Sequence, residues 1–156
     1  MHSNISDEQQ KKDSAIIIGD LVFQLLANCQ RKEEILAEQF HISVPEFRCL
    51  RTFRDREELT IKALTEIMVL SGSRLTRIID GLEEKGFVTR SFHDVDRRSI
   101  NVRLTKKGLV TTRQLEDRYI QIHQEILDEF PLDQQNLLSN GLQQLLSSLE
   151  RWLRNT

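Results

Sequence analysis

Apolar residues recur at intervals of three and four through most of the chain, and give way to alternation only in a short stretch near its middle. The first interval places side chains on one face of an α-helix, and the second places them on one face of a strand. Two prolines and six glycines among 156 residues leave few points at which helices must break. The pattern therefore predicts a mainly α fold with a small β element. In the first long segment Ile18, Val22, Leu25 and Cys29 are spaced four, three, four, with Leu21 and Leu26 widening the stripe. This predicts one buried face of a helix running from about Ala15 toward Phe40. The polar start, residues 1–14, reads as a flexible tail with neither the basic opening nor the apolar run of an export signal.

Ser43, Pro45 and Glu46 form a helix start: the hydroxyl can cap free N–H groups, the carboxylate can reach back, and proline is tolerated in the first turn. Phe47, Leu50 and Phe53 would bury that helix, and Thr60 would cap a short one with Leu64, Ile67 and Met68 inward. Ser71-Gly72-Ser73 is a turn between two short helical patterns, as in a helix-turn-helix. In the second helix Leu75, Ile78, Ile79 and Leu82 fall on one side, while Ser73, Arg77, Asp80 and Glu84 point away, flanked by Arg74 and Thr76. Its outward N-terminal half is basic and hydroxylic and suits a phosphate. Its acidic half, Asp80, Glu83 and Glu84, should repel one. Gly86 can take the left-handed conformation that closes it.

The strand "FVTRSF" follows, then the tip "HDVDRRS", then "INVRL", in which Ile100, Val102 and Leu104 alternate with Asn101 and Arg103. The charged tip cannot be buried cheaply, so it should stand in solvent. Thr105 caps a long helix with the stripe Leu115, Tyr119, Ile122, Ile126 and Phe130, which Pro131 stops. A last helix from about Asp133 carries Leu138, Leu142, Leu145, Leu149 and Trp152 as a heptad-like seam. The expected architecture is a single domain, 15–156, with a winged helix-turn-helix lobe at 43–105 and a two- or three-stranded β-wing. Helices 15–42 and 106–156 would frame it, and their surplus apolar seams call for a homodimer.

Charge is distributed unevenly. Residues 71–107 hold nine basic and five acidic residues, leaving thirteen basic and nineteen acidic elsewhere, within a formal net charge of −2. A positive segment in an acidic frame is what a face for a charged ligand looks like. Cys29, on the stripe, and Cys49, beside Leu50, read as structural, reduced thiols of a cytoplasmic protein. His2, His41, His93 and His123 are scattered without metal-ligand spacing, so no metal site is expected. No nucleophile with an ordered base and no glycine-rich phosphate loop suggests catalysis, so neither an enzyme nor a cofactor is expected. By themselves the hairpin charges also fit a solvated turn in which Asp96 and Arg98 pair with each other.

The run from Leu59 to Gly108, with "LTEIMVLSGS", "SRLTRIIDGLEEKG", "DVDRRS" and "VRLTKKG", resembles the MarR family of bacterial and archaeal transcription regulators. The resemblance implies a homodimer on a pseudo-palindromic operator, with the recognition helix, 71–85, in the major groove and the wing, 91–100, in the minor groove. It implies that Ser71, Ser73, Arg74, Thr76 and Arg77 meet bases or phosphates. Asp96 and Arg98 match the family's D-x-R wing motif, in which the acid orients the base that touches DNA, and Arg97 would hold phosphate. Gly81 falls on the exposed side where relatives often have a larger polar residue, so a contact there is lost or replaced by backbone approach. Many relatives bind a small aromatic or anionic effector between frame and lobe; Phe47 and Tyr119 read here as core rather than pocket. The expected function is that of a ligand-responsive repressor. The alternatives are a winged-helix protein-interaction module, motivated by the net negative charge, and a cysteine-based oxidant sensor.

Overall fold

The computed structural model describes the backbone of residues 2–92 and 100–156, and the side chains of 7–91 and 100–156. In chain order the elements are α1 (His2–Gln39), α2 (Val44–Arg51), β1 (Glu58–Thr60), α3 (Ile61–Met68), α4 (Gly72–Glu84), β2 (Val88–Phe92), β3 (Ile100–Leu104), α5 (Lys106–Leu127) and α6 (Leu132–Arg154). The three strands form one antiparallel sheet in the order β1-β3-β2. The chain divides within α5 into two compact units, 1–116 and 117–156. None of the residues of α6 is buried.

That core is built from Phe47, Leu50, Phe53, Leu64, Leu75, Ile79, Leu82, Val88, Val102 and Leu115, all essentially inaccessible to solvent. Local signals set its elements in place. Ser43 and Glu46 make a reciprocal capping box: the Ser43 Oγ accepts from the Glu46 N–H at 3.4 Å, and the Glu46 carboxylate accepts from the Ser43 N–H at 2.7 Å. Thr60 caps α3 by accepting from the Ala63 N–H at 3.0 Å, and Thr105 accepts from the Gly108 N–H at 3.0 Å to start α5. Gly86, at φ +74°, takes the left-handed turn that ends α4 and leads into β2. The hairpin pairs Val88 with Leu104 through to Phe92 with Ile100.

Several expectations are corrected. Residues 2–14, expected as a tail, continue α1 as helix, because they hold no proline or glycine and add a Gln9 to Asp13 hydrogen bond one turn apart at 2.9 Å. The α1 stripe is not buried: Ile18, Leu21, Val22, Leu25, Leu26 and Cys29 are all exposed, since no other part of the first unit covers them. Ile67 and Ile100, expected inward, also face solvent, while Met68 is half-buried. β1 adds the third strand: Glu58, Leu59 and Thr60 pair with Arg103, Val102 and Asn101.

In the second unit Tyr119 stacks on His123 with ring centroids 4.1 Å apart. The Gln135 amide donates to the Leu127 and Phe130 carbonyls at 3.1 and 2.9 Å, fastening the turn around Pro131. No helix among the described residues is long and apolar enough to cross a membrane.

Candidate nucleic-acid interface

The connection from α3 to α4 turns at Val69, which sits in the left-handed region at φ 52° with its side chain exposed. α4 then begins at Ser71, which has the extended backbone of an N-cap but no side-chain capping bond. Its hydroxyl lies instead 3.3 Å from that of Ser73, and the Thr76 hydroxyl donates to the Gly72 carbonyl at 2.9 Å. The first N–H groups of α4 therefore have no side-chain acceptor, and the positive end of the helix dipole is open to an anion. Leu75, Ile79 and Leu82 fasten the opposite side of α4 into the core. Ser71, Ser73, Arg74, Thr76 and Arg77 are all exposed and lie together within the first two turns. Asp96, Arg97 and Arg98, the expected wing contacts, lie outside the described residues.

The ion pairs show where the positive charge of this segment is available. Lys85 donates to both oxygens of Glu46 at 2.8 and 2.6 Å. Arg90 binds Asp80 and Glu83, each at 2.6 Å, and the Nε of Arg103 donates to Glu58 at 2.6 Å. Lys107 donates to the Lys85 carbonyl at 2.7 Å and lies 4.5 Å above the Phe87 ring. Arg74 and Arg77 engage no carboxylate among the described residues. Arg74 and Arg77 thus leave uncompensated positive charge at the N-terminal end of α4, beside its open N–H groups.

Two features were not foreseen from the residues. Glu46 is buried, and besides closing the capping box it accepts Lys85 from the end of α4. Burial by itself raises its carboxyl, but hydrogen bonds from Lys85 and Ser43 and the Lys85 charge outweigh this and hold it below its ordinary value. Gly81 packs against that carboxylate, where an added Cβ would overlap it. Gly81, expected on the exposed side of α4, is half-buried and is a point of close approach between α4 and the Glu46 side chain of α2. The second feature is the Arg90 cluster, in which β2 reaches back to α4. A carboxylate ten residues before an arginine is no signal until the hairpin brings them together.

A cleft of about 330 Å³ opens beside the basic end of α4, lined by Pro45, Arg48, Met68, Leu70, Arg74, Arg77 and Ile78. The two cysteines separate clearly. Cys49 is buried, and burial, followed by the nearby Glu46 charge, pushes its thiol up to about 12, so it is neutral and unreactive. Cys29 is exposed, which corrects its expected place in the core. No cluster of side chains suited to a metal ion occurs among the described residues.

Comparison with known proteins agrees with this geometry. Residues 42–100, from the approach to α2 through the hairpin, match the sequence model of the MarR family. The chain is 27% identical over 143 residues to the HTH-type transcriptional regulator PecS of Dickeya dadantii, covering 90% of this chain and 83% of that one. It is 26% identical over 112 residues to the organic hydroperoxide resistance transcriptional regulator of Bacillus subtilis, covering 70% and 76%. Among solved structures it resembles a mutant MarR from E. coli complexed with operator DNA, at a TM-score of 0.65 and 25% identity, covering 79% of this chain and 91% of that one. With a helix-turn-helix, a β-hairpin and an open basic helix terminus in one lobe, the chain is similar to DNA-binding transcriptional regulators of the MarR family, whose sequence model its residues 42–100 match.

Proposed function

We propose that the protein is a homodimeric, ligand-responsive repressor that binds a pseudo-palindromic operator, with residues 71–85 in the major groove and the wing, 91–100, in the minor groove. The observation that carries this reading is the pair Arg74 and Arg77, exposed and without a carboxylate partner among the described residues, beside the open N-terminus of α4. Arginine there can make paired hydrogen bonds to a guanine edge or hold phosphate, and Ser71, Ser73 and Thr76 can donate to phosphate. Asp96, Arg97 and Arg98 take the wing roles implied by their motif. The dimer is supported by the apolar faces that α1 and α6 leave exposed. The cleft beside Arg48, Arg74 and Arg77 has the size and apolar lining for a small aromatic anion. A ligand there would engage the arginines that DNA needs, which couples ligand binding to release.

The test is a titration of operator duplex with Arg74→Ala and Arg77→Ala. Each should weaken binding by about 1–3 kcal/mol and lessen its salt dependence if the lost contact was to phosphate, with the dimer intact. Wild-type affinity in both variants would remove α4 from the interface.

A second reading, control by oxidation, has one observation in its favour, the exposure of Cys29, and a relative in the organic hydroperoxide resistance regulator. It predicts that peroxide releases DNA from the wild type and not from Cys29→Ser; release in both would exclude it.

A further inference from the structure

Strand β2 sends Arg90 across the base of the hairpin onto α4. Its guanidinium donates to Asp80 at 2.6 Å, to Glu83 at 2.6 Å and to the Thr76 carbonyl at 3.2 Å, and its backbone N–H donates to Glu83 at 3.0 Å. The Arg90 side chain is 26% exposed, while that of Asp80 is 57% exposed on the outward side of α4. The guanidinium is thus the more covered partner, and both carboxylates stay closer to solvent than the charge that compensates them.

Pairs this exposed contribute little to folding. Their effect on binding is larger, because Asp80 follows Arg77 by one helical turn and lies well within the roughly 10 Å over which charge acts at 0.1 M salt. Two uncompensated carboxylates at that distance would oppose every phosphate that Arg77 attracts. We propose that Arg90 is a positioning residue for DNA binding: it neutralises Asp80 and Glu83 and ties them to the base of the hairpin, so that the acidic half of α4 can approach the duplex. The inference rests on the docking of α4 proposed above. It also explains how a helix with an acidic C-terminal half can serve as a reading head: the compensating charge comes from the next element of the chain.

The experiment compares the full-length wild type with Arg90→Gln and with the triple variant Arg90→Gln, Asp80→Asn, Glu83→Gln. The probe is a short duplex that the wild type selects from a random-sequence pool, titrated over a range of salt. Arg90→Gln should bind about tenfold more weakly at low salt, and the triple variant should return to within about threefold of wild type. A direct phosphate contact by Arg90 predicts instead that the triple variant stays weak and that the slope of log affinity against log salt falls by about one. That result, or wild-type affinity in Arg90→Gln itself, overturns the proposal. Should Arg90→Gln fail to fold, the triple variant decides by itself, with recovered affinity in support and a tenfold loss against. A wild type that selects no duplex at all removes the docking of α4 and this proposal with it, whereas failure in the variants alone removes only the role of Arg90.

Discussion

Gly81 is a position on α4 where one added methyl group has no room. Its neighbour is the Glu46 carboxylate, the end of a flexible side chain that could move aside if it were free. It is not free: Ser43 and Lys85 hold both of its oxygens. Gly81→Ala must therefore either strain this contact or break the capping box and the Lys85 bridge, and should cost about 1–3 kcal/mol, although alanine is the better helix former by about 1 kcal/mol. Chemical denaturation of the two proteins checks this, and an unchanged or raised midpoint would show that Glu46 yields freely. The same carboxylate gives a direction with pH. Its value is depressed in the folded protein, so its contribution is present above its ordinary value of 4.5 and is lost as pH falls through the lower folded value. The wild type should therefore lose stability on acidification more steeply than Glu46→Gln. Parallel curves would mean that Glu46 is as easily protonated in the fold as in the unfolded chain.

At the scale of elements, the helix-turn-helix carries a local conflict at Val69. A β-branched side chain is held at φ 52°, a conformation that costs it of the order of 1 kcal/mol or more, yet 87% of it lies in solvent and so gains little from packing. Val69→Gly should raise stability by about 0.5–1 kcal/mol with α3 and α4 unchanged, read as a higher thermal midpoint; a loss of stability would mean that the valine supports the turn in a way its exposure conceals. Much of this element was legible beforehand. Ser43 with Glu46, Thr60 with Ala63, and Gly86 are local signals whose partners lie within a few residues, and each formed as read. Periodicity also found the faces, but it reports which residues share a side and not what covers them. That is why Cys29 and Ile67 were assigned to the core and lie outside it. β1 has three residues and no alternation to detect. The Arg90 and Lys85 bridges join residues 10 and 39 positions from their acids, so they depend on hairpin and helix packing that composition cannot express.

At the scale of the whole molecule the question is what covers the apolar faces. α6 leaves Leu138, Leu142, Leu145, Leu149 and Trp152 exposed, and α1 leaves Ile18, Leu21, Val22, Leu25 and Leu26 exposed. Burying each set against a second copy contributes roughly 2 kcal/mol per side chain, or about 10 kcal/mol for one set from one protomer. Association itself costs about 4–15 kcal/mol, so one protomer's seam alone leaves a weak dimer, and a stable one needs the same surfaces from both copies. In the proposed homodimer each copy contributes the same face, so one substitution enters it twice. Leu145→Glu places two carboxylates in the seam, each of which must stay solvated or be neutralised, and should convert the dimer to monomer at concentrations where the wild type remains associated. The measurement is sedimentation over a concentration range, with Arg77→Ala as the control that alters the DNA face alone. The thermal midpoint of Leu145→Glu should likewise not depend on protein concentration, whereas that of the wild type should if folding and pairing are linked. If Leu145→Glu sediments as a dimer, the seam faces something other than a second copy. If it is a monomer that still binds half an operator at wild-type strength, the frame sets only the spacing of two independent reading heads. The expected outcome is between these: a folded monomer with weakened binding, because in the docking proposed above a single α4 would reach only one major groove.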